Sequence, residues 1–444
     1  MVDGRVRLDR HPCAFGKLAP MTATETPPTT HRPAGPTIER DPLELGFDPG
    51  RLSRIDRHFQ QYVDDGRLVG WQLAVSRHGD VAHHATYGSR DADTSAPFAP
   101  DSIVRMFSMT KPITSVAALM LHEEGAFQLK DPIKRWLPEF ADMRVLRGGS
   151  SVAPITEPAT EPIRIWHLLT HTSGLTYGFH NSHVSDALYR KAGFEWGSPP
   201  DVDLAGCCEK WAELPLAFHP GQEWLYGVST DVLGRLVEVI SGQSLAEFFA
   251  ERILGPLGMV DTAFHVPDDK RDRLASLYIP TPGSGTAMPA PGGLDRVSNQ
   301  VPRMLSGGGG LVGTAADYLR FCHMLLNGGE LDGVRILGTR TVKFMAQNHI
   351  PGNADLEQYG RPLFAETSFD GVGFGLGFSV TMDPVHNKVL DNPGEYAWGG
   401  AASTAFWIDP VDEIVAVFLT QLLPSSTHPI RPEFKTLVYQ ALID

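Results

Sequence analysis

The sequence predicts an α+β protein whose strands come from both ends of the chain and whose middle is mostly helical. Two short runs rich in β-branched and aromatic residues, 71–77 and 81–87, occur in the first quarter of the chain. Three further strand-like segments occur near the C-terminal end, at 374–382, 395–408 and 413–422. The segments between these two groups have mainly the apolar spacing of helices. The middle of the chain is therefore predicted to be a helical insertion.

This pattern predicts three parts. Residues 1–40 are rich in Pro, Thr and Arg without an apolar period, which predicts a disordered or loosely draped arm. The α/β sheet domain is predicted over 41–130 and 300–444, and the mostly helical inserted domain over 131–299. Met21 precedes the most tail-like part of the arm, and our hypothesis is that the natural chain starts there.

Composition and charge limit the partners of this protein. The 444 residues are 42% hydrophobic and 20% charged, as in ordinary soluble globular proteins. A formal net charge of −14 opposes binding to nucleic acid or to anionic membranes. The chain has no apolar run of about 18 residues, no signal-peptide pattern and no disulfide framework among its four cysteines. We therefore expect a cytoplasmic protein with reduced thiols and with no nucleic-acid or membrane partner.

The first elements are a helix and a hairpin. The helix is predicted over 49–64, where apolar residues recur every three or four positions. The first two strands are joined by His78-Gly79-Asp80, which is a hairpin turn signal. His83 and His84 are adjacent on the second strand and so face opposite sides of the sheet, which favours a structural interpretation over metal binding. We predict no metal site and no cofactor.

A serine and a lysine open the next helix. The segment Phe107-Ser108-Met109-Thr110-Lys111-Pro112 precedes an apolar helix that runs to Glu124. Positions three apart lie on one helix face, so Ser108 and Lys111 point into the same space. A serine hydroxyl is a poor nucleophile at neutral pH unless a base takes its proton, and a partly neutral lysine amine can be that base. The helix N-terminus favours a developing oxyanion near Ser108.

The next segments have weaker signals. We predict a short amphipathic segment at 131–140, a loop at 148–162 and a helix at 163–169 that closes before Gly174. His171 lies at the end of this helix, where a histidine more often caps carbonyl groups than moves protons. A catalytic role for His171 is therefore the less favoured interpretation. Residues 176–219 are mixed and would suit a substrate-facing region.

Tyr226 lies on a loop before a well-anchored helix. That helix is predicted to begin with Ser229 as its N-cap and to end at Gly242. Ser244 and Glu247 form a capping box for the helix that follows, 245–254. A side chain on such a loop is held firmly and remains accessible, which is typical of catalytic residues.

The C-terminal third completes the sheet domain. The Gly-rich run 306–314 lacks a Lys-Ser/Thr pair and a preceding strand, so a phosphate-binding loop is not favoured. Thr314 with Asp317 predicts the cap of a helix over 315–326. The turn between the last two strands is predicted at 409–412, and a helix at about 432–442 closes the chain.

Three separate segments together resemble one catalytic site: Ser108 with Lys111, Tyr226, and the strand Trp398-Gly399-Gly400-Ala401. Their order and spacing resemble the serine β-lactamase and penicillin-binding-protein superfamily. His-Thr-Ser-Gly-Leu at 171–175 and the run 307–318 extend the resemblance over roughly 45–440. The chain looks most similar to the family VIII carboxylesterases, which are similar to class C β-lactamases. The resemblance implies a β-lactamase/transpeptidase-like fold, with an antiparallel sheet flanked by helices.

Two departures from class C β-lactamases favour an uncharged ester as the substrate. Tyr-x-Asn of those enzymes is Tyr226-Gly227-Val228 here, so the amide that would contact a lactam's acylamino group is missing. Lys-Thr-Gly is Trp398-Gly399-Gly400 here, so an aromatic side chain replaces the cation that would receive a substrate carboxylate. Family VIII esterases are known for Trp or His at that position. The serine-between-glycines signature of common lipases fails around Ser229.

The resemblance implies a mechanism for this chain. Ser108 attacks the ester carbonyl, and Lys111 and Tyr226 share the role of general base. Backbone N–H groups of Ser108 and Ala401 form the oxyanion hole, and Trp398, Gly399 and Gly400 contact the substrate. Tyr226 then protonates the leaving alcohol, and water releases the acyl group.

Other functions remain open on the same scaffold. Within enzymes they are a β-lactamase, a D-alanyl-D-alanine peptidase, or an acyltransferase that passes the acyl group to an alcohol other than water. A catalytically silent binding protein is disfavoured because Ser108, Lys111 and Tyr226 are all present. The sequence does not indicate the oligomeric state.

Overall fold

The largest feature of the fold is one antiparallel sheet of eight strands. The computed structural model describes residues 35–444 apart from 196, 198, 200, 293, 295, 296, 298 and 362–368. The predicted arm over 1–40 and the hypothetical start at Met21 therefore fall mainly outside the described residues. The described strands are β1 Gly70–Arg77, β2 Asp80–Asp91, β3 Ala96–Pro97, β4 Val104–Arg105, β5 Arg144–Gly149, β6 Pro154–Pro158, β7 Tyr278–Pro280, β8 Ala287–Pro289, β9 Val312–Gly313, β10 Glu330–Leu331, β11 Val334–Arg335, β12 Val372–Phe374, β13 Ser379–Thr381, β14 Tyr396–Gly399, β15 Ala405–Asp409 and β16 Ile414–Leu419.

The order of strands across the sheet is β12-β13-β14-β15-β16-β1-β2-β3. Strands from the two ends of the chain meet where β1 pairs with β16, for example at Leu73 with Phe418. Shorter two-stranded ladders pair β4 with β9, β5 with β6, β7 with β8 and β10 with β11. The α+β prediction is thus confirmed.

Helices lie between the two groups of sheet strands and on both faces of the sheet. The described α-helices are α1 Pro49–Asp64, α2 Thr110–Glu123, α3 Ile165–Leu169, α4 Val184–Lys191, α5 Leu204–Ala212, α6 Ser229–Ser241, α7 Leu245–Phe249, α8 Ala315–Leu326, α9 Thr339–Met345, α10 Leu356–Tyr359, α11 Pro384–Asn387 and α12 Ile430–Tyr439. A π-helical turn, Ala250–Leu254, extends α7, and short 3₁₀ turns occur elsewhere, including Phe107–Met109 before α2. The bounds 41–130, 131–299 and 300–444 for the domains stay a prediction.

The alternating direction of side chains along the central strands explains why helices cover both faces of the sheet. Side chains of one strand point alternately to opposite faces, so apolar residues at successive positions build two cores. On one face Leu73 and Phe418 join the core formed with α1 and α12. On the other face Ala74 and Val417 join the core that contains α2, α6 and α8. The helix α2 is therefore buried against the sheet.

Several predicted boundaries were wrong. The segment 395–408 is two strands, β14 and β15, because the backbone turns at 400–404. The segment 374–382 contains only the last residue of β12, a turn and then β13, and the predicted loop at 148–162 contains β6 and the end of β5. In the first two cases glycines and other small residues form a turn between two strand-like runs, and the β-branched and aromatic content of the whole segment concealed it.

The predicted helix caps had mixed outcomes. Ser229 is the first residue of α6 and not its N-cap, since its hydroxyl pairs with the Ser173 hydroxyl at 2.8 Å. The capping box of Ser244 with Glu247 is confirmed, as is the Thr314 cap, whose side chain accepts from the Asp317 N–H. These caps fix the starts of α7 and α8.

Two further features concern the whole described chain. None of the described helices combines the length and the apolar character that a membrane crossing requires. The described cysteines Cys207, Cys208 and Cys322 are buried and form no disulfide.

Candidate active site

Ser108 lies in a strained turn at the start of the buried helix α2. Phe107, the residue before it, has φ 46°, a left-handed conformation that bulky residues rarely adopt. Such strain persists only where the surroundings over-determine the backbone, and it is concentrated at functional sites. After this turn α2 is buried over its first three turns, so the serine is held on a rigid element.

Lys111 is buried beside Ser108, with 1% of its surface exposed. Its Nζ donates hydrogen bonds to the Ser108 Oγ at 3.2 Å, to the Tyr177 hydroxyl at 3.1 Å and to the Gly308 carbonyl at 2.7 Å. An ammonium group has three N–H donors, so these partners satisfy all of them. The predicted proximity of Ser108 and Lys111 is therefore present in the structure.

Tyr226 faces the same lysine from the loop before α6. The Lys111 Nζ lies 4.4 Å from the centroid of the Tyr226 ring, a cation–π distance. The Tyr226 hydroxyl accepts a hydrogen bond of 3.2 Å from the Trp398 Nε1–H. The Tyr226 carbonyl pairs with the His180 Nε2 at 2.7 Å. The loop is also fixed at Gly227, where an added Cβ would lie 2.3 Å from the Leu175 carbonyl oxygen.

Tyr177 is a site residue that the sequence interpretation missed. Its hydroxyl, and not that of Tyr226, accepts the hydrogen bond from Lys111. Burial raises the pKa of Tyr177 well above its ordinary value, and the carboxylate of Asp231 adds to this effect. Tyr177 follows the motif at 171–175 by two residues, and this position just after a recognised motif was the available signal.

Asp231 holds the segment that binds Lys111 in place. Its buried carboxylate accepts hydrogen bonds from the Ser306 hydroxyl at 2.5 Å and from the Gly308 N–H at 3.0 Å. Burial raises the pKa of Asp231, while the charge of Lys111 opposes this shift. Asp231 thereby fixes the Gly-rich segment whose Gly308 carbonyl binds Lys111, which explains why this run of glycines belongs to the site.

The edge of the site is formed by β14 and the turn after it. Gly400 is closely packed, because an added Cβ would lie 2.3 Å from the Met106 carbonyl oxygen. This close approach brings the strand against the turn that carries Ser108. No described residue accepts a hydrogen bond from the Ala401 N–H. That donor remains available for a ligand.

These parts line one cavity of about 910 Å³. Ser108, Tyr226 and the segment 398–401 all contribute to its wall. Aromatic side chains supply much of the remaining lining: Phe107, Tyr177, Phe179, Phe194, Trp211, Trp224 and Phe369. Among the described residues, no group of three or more His, Cys, Asp or Glu could hold a metal ion. The wall thus brings together a serine and two tyrosines, with a buried lysine beside the serine.

His171 is fully buried behind Tyr226. Burial, followed by the charge of Lys111, lowers the pKa of His171 well below its ordinary value. The Nδ1 accepts a hydrogen bond of 3.3 Å from the Gly227 N–H, which requires a neutral ring. His171 therefore orders the tyrosine loop in this structure.

Comparison with known proteins assigns the family. The family model described as Beta-lactamase matches residues 55–440. The chain is 36% identical to protein Rv1367c of Mycobacterium tuberculosis, over 82% of this chain and 88% of that protein. It is 31% identical to esterase EstB of Burkholderia gladioli, over 86% of this chain and 93% of that protein. The chain belongs to the beta-lactamase family.

A solved structure extends the comparison to the fold. The structure of EstCE1, described as a hydrolase with promiscuous acyltransferase activity, superposes with a TM-score of 0.73 at 27% identity. The match covers 90% of this chain and 99% of that one. The predicted β-lactamase/transpeptidase-like fold and superfamily are therefore confirmed. The esterase relatives also support the predicted closeness to family VIII carboxylesterases.

Proposed function

We propose that this protein is a carboxylesterase of the family VIII type, which cleaves small neutral carboxylic esters through an acyl-enzyme on Ser108. The observation that carries this proposal is the 3.2 Å contact between the Lys111 Nζ and the Ser108 Oγ at the wall of an aromatic cavity. An isolated serine needs such a neighbour to be nucleophilic at neutral pH. The likeness to EstB, which is named an esterase, supports the same conclusion.

In the first half-reaction the Ser108 Oγ forms a bond to the ester carbonyl carbon. The carbonyl π pair moves onto oxygen, and the serine proton passes to the Lys111–Tyr226 pair after that pair has lost one proton. Collapse of the tetrahedral intermediate expels the alkoxide, which takes a proton from Tyr226. Water then repeats these steps on the acyl-enzyme.

The two tyrosines have different roles in this mechanism. Tyr177 has a raised pKa and accepts a hydrogen bond from Lys111, so it stays a phenol and orients the lysine. Tyr226 borders the cavity, lies 4.4 Å from the Lys111 charge and accepts from Trp398. Tyr226 is the tyrosine to which the superfamily resemblance gives the proton-transfer role, and its place at the cavity beside Lys111 suits that role.

The oxyanion hole is proposed to consist of the N–H groups of Ser108 and Ala401. Two backbone donors aimed at the carbonyl oxygen stabilise the charge that develops there in each tetrahedral intermediate. Both residues border the cavity, and close packing at Gly400 keeps the two segments together.

We base the proposed substrate class on Trp398, which lines the same cavity as Ser108. Trp398 offers an aromatic surface and one N–H where related β-lactamases carry a cation, and that N–H is used by Tyr226. A substrate carboxylate would gain no charge pairing from Trp398, whereas a neutral acyl or alkyl group would bury apolar surface on the aromatic lining.

A hydrolysis panel tests this proposal. Nitrophenyl esters with acyl chains of two to about twelve carbons should be hydrolysed in a Ser108-dependent manner, beside a chromogenic cephalosporin that is turned over poorly or not at all. Efficient cephalosporin hydrolysis without ester hydrolysis would contradict the proposal. The control is Ser108→Ala protein purified in parallel, which reports contaminating esterase.

Acyl transfer is the second candidate function. The likeness to EstCE1, described as a hydrolase with promiscuous acyltransferase activity, favours it, and the apolar cavity can hold an alcohol close to the acyl-enzyme. Product analysis with a vinyl ester and rising concentrations of a primary alcohol measures the partition between acid and new ester. A constant acid yield at every alcohol concentration would exclude transfer to that acceptor.

A further inference from the structure

Arg431 contacts the backbone of the turn that carries Ala401, and it is also among the residues that line the cavity. It lies near the start of α12, and its Nη2 donates hydrogen bonds to the Gly400 carbonyl at 3.0 Å and to the Thr404 carbonyl at 3.1 Å. The guanidinium also lies directly against Gly399, where an added Cβ would be 2.3 Å from the guanidinium carbon. Glycine at position 399 is therefore what allows the arginine to reach the backbone of this turn.

The Gly400 carbonyl and the Ala401 N–H belong to the same peptide unit. A peptide group is planar, so a hydrogen bond that fixes the direction of its oxygen also fixes the direction of its N–H. Hydrogen bonds along a chain polarise one another, and a cationic donor on the oxygen makes the N–H a stronger donor. The same peptide oxygen accepts from the Ser403 N–H at 3.2 Å, and the Gly400 N–H donates to Thr404 at 3.0 Å.

We propose that Arg431 is a positioning residue for the oxyanion hole, which orients and polarises the Gly400–Ala401 peptide so that the Ala401 N–H meets the carbonyl oxygen of the bound ester. This inference rests on the proposed function, because it assigns Ala401 as one of the two oxyanion donors. Arg431 acts through the peptide and forms no bond in the reaction. Its effect is greatest when negative charge develops on the substrate oxygen, which is the transition state of both half-reactions.

Two variants of Arg431 test the inference. Arg431→Met keeps much of the length and packing of the side chain and removes the donors, and Arg431→Lys restores one cationic donor. Loss of a direct oxyanion donor lowers kcat by about 100- to 1000-fold, so loss of its support should lower kcat by roughly tenfold or more in Arg431→Met. KM should change less than about twofold. Arg431→Lys should recover part of the lost rate.

The matched control is Arg90→Met. Arg90 also bridges two carbonyl groups, those of Asp272 at 2.8 Å and Pro97 at 2.9 Å, and it does not line the catalytic cavity. This variant should retain the wild-type kcat even if its melting temperature falls. A kcat loss in Arg90→Met equal to that in Arg431→Met would indicate a general effect of losing a structural arginine, and would overturn the inference.

A pair of inhibitors separates positioning from structural damage. A trifluoromethyl ketone forms a tetrahedral adduct with Ser108 whose oxyanion occupies the hole, whereas the matching methyl ketone binds with little adduct formation. Arg431→Met should weaken binding of the trifluoromethyl ketone by the same factor as it lowers kcat/KM. Binding of the methyl ketone should change less than about twofold. If Arg431→Met does not fold, the same comparison is made with Arg431→Lys.

The outcomes distinguish this inference from the proposed function. Ser108-dependent hydrolysis with Arg431 variants within twofold of the wild-type kcat would overturn only the role of Arg431. A rise in KM alone, seen only for esters that carry a carboxylate, would also overturn this role, since Arg431 would then bind a substrate anion. Absence of any Ser108-dependent hydrolysis in the wild type would instead overturn the proposed function.

Discussion

The indole N–H of Trp398 donates a hydrogen bond of 3.2 Å to the hydroxyl of Tyr226. The side chain that replaces the expected cation on β14 therefore contacts the tyrosine proposed to move protons. The same tyrosine ring has the Lys111 Nζ 4.4 Å from its centroid. Trp398 thus contacts both the substrate cavity and the proposed proton-transfer group, and different substitutions at this position should separate the two effects.

Replacing Trp398 by lysine should change the substrate preference. The wild type should hydrolyse neutral esters faster than esters whose acyl group ends in a carboxylate, and Trp398→Lys should narrow this gap by roughly tenfold, because a cation can pair with that carboxylate. The measurement is kcat/KM for a matched pair such as butyrate and succinate monoesters. Trp398→Phe is the control, and it should leave the preference unchanged while lowering kcat for both. Equal kcat/KM values for the two esters in the wild type would contradict the proposed role of Trp398.

The two tyrosines should respond differently to loss of their hydroxyl groups. Tyr226→Phe should lower kcat by about 100-fold or more, as expected for loss of a general acid–base group. Tyr177→Phe should lower kcat by roughly tenfold, since it removes one of the three hydrogen-bond acceptors around Lys111 and leaves the proton-transfer group intact. Steady-state kinetics on one nitrophenyl ester compares them directly. A greater loss in Tyr177→Phe would assign the proton transfer to Tyr177 instead.

A charge alone should not replace Lys111. Lys111 must give up a proton to act as a base, whereas arginine remains protonated in proteins. Lys111→Arg should therefore lose at least about 100-fold in kcat although it keeps the positive charge. Single-turnover kinetics measures the chemical step, and circular dichroism checks the fold. Two results together would replace this mechanism by a serine–histidine mechanism. Lys111→Arg would stay active, and the dependence of kcat on pH would change in His171→Asn.

Buried histidines should make stability depend on pH. Burial lowers the pKa of His323 to about 4, and its Nε2 pairs with the Ser76 hydroxyl at 2.7 Å. Because the unfolded value is about 6.5, the unfolded chain binds this proton first as the pH falls. The stabilisation by neutral His323 is complete above pH 6.5 and is lost progressively towards pH 4.

The difference between wild type and His323→Gln isolates this effect. Asp317 and Glu395 have pKa values raised to about 6 and about 7, mainly by burial, and they act in the opposite direction in both proteins. Between pH 7 and pH 5 the wild type should lose about 2 kcal/mol more free energy of unfolding than the variant. Urea unfolding at pH 7 and at pH 5 measures the free energy of unfolding of each protein. Parallel pH dependence in the two proteins would contradict a neutral buried His323.

The parts of the site that the sequence revealed are those with local signals. Ser108 and Lys111 share a helix face, and Tyr226 precedes a well-formed helix, so spacing and resemblance were sufficient to find them. Tyr177 and Asp231 were missed because their roles depend on long-range contacts with Lys111 and Gly308. The turn at 400–404 was missed because the residues that mark it, Gly399-Gly400 and Ser403-Thr404, lie within a segment that was interpreted as one long strand.

The central claim is that Ser108 carries the acyl group, and trapping the acyl-enzyme tests it most directly. The protein is mixed with a slowly hydrolysed nitrophenyl ester, quenched in acid within the turnover time, and analysed by intact mass and peptide mapping. We predict one added acyl mass on the peptide containing Ser108 and none in Ser108→Ala. An acyl adduct on another residue that forms at the turnover rate, or full ester hydrolysis by Ser108→Ala, would contradict the account.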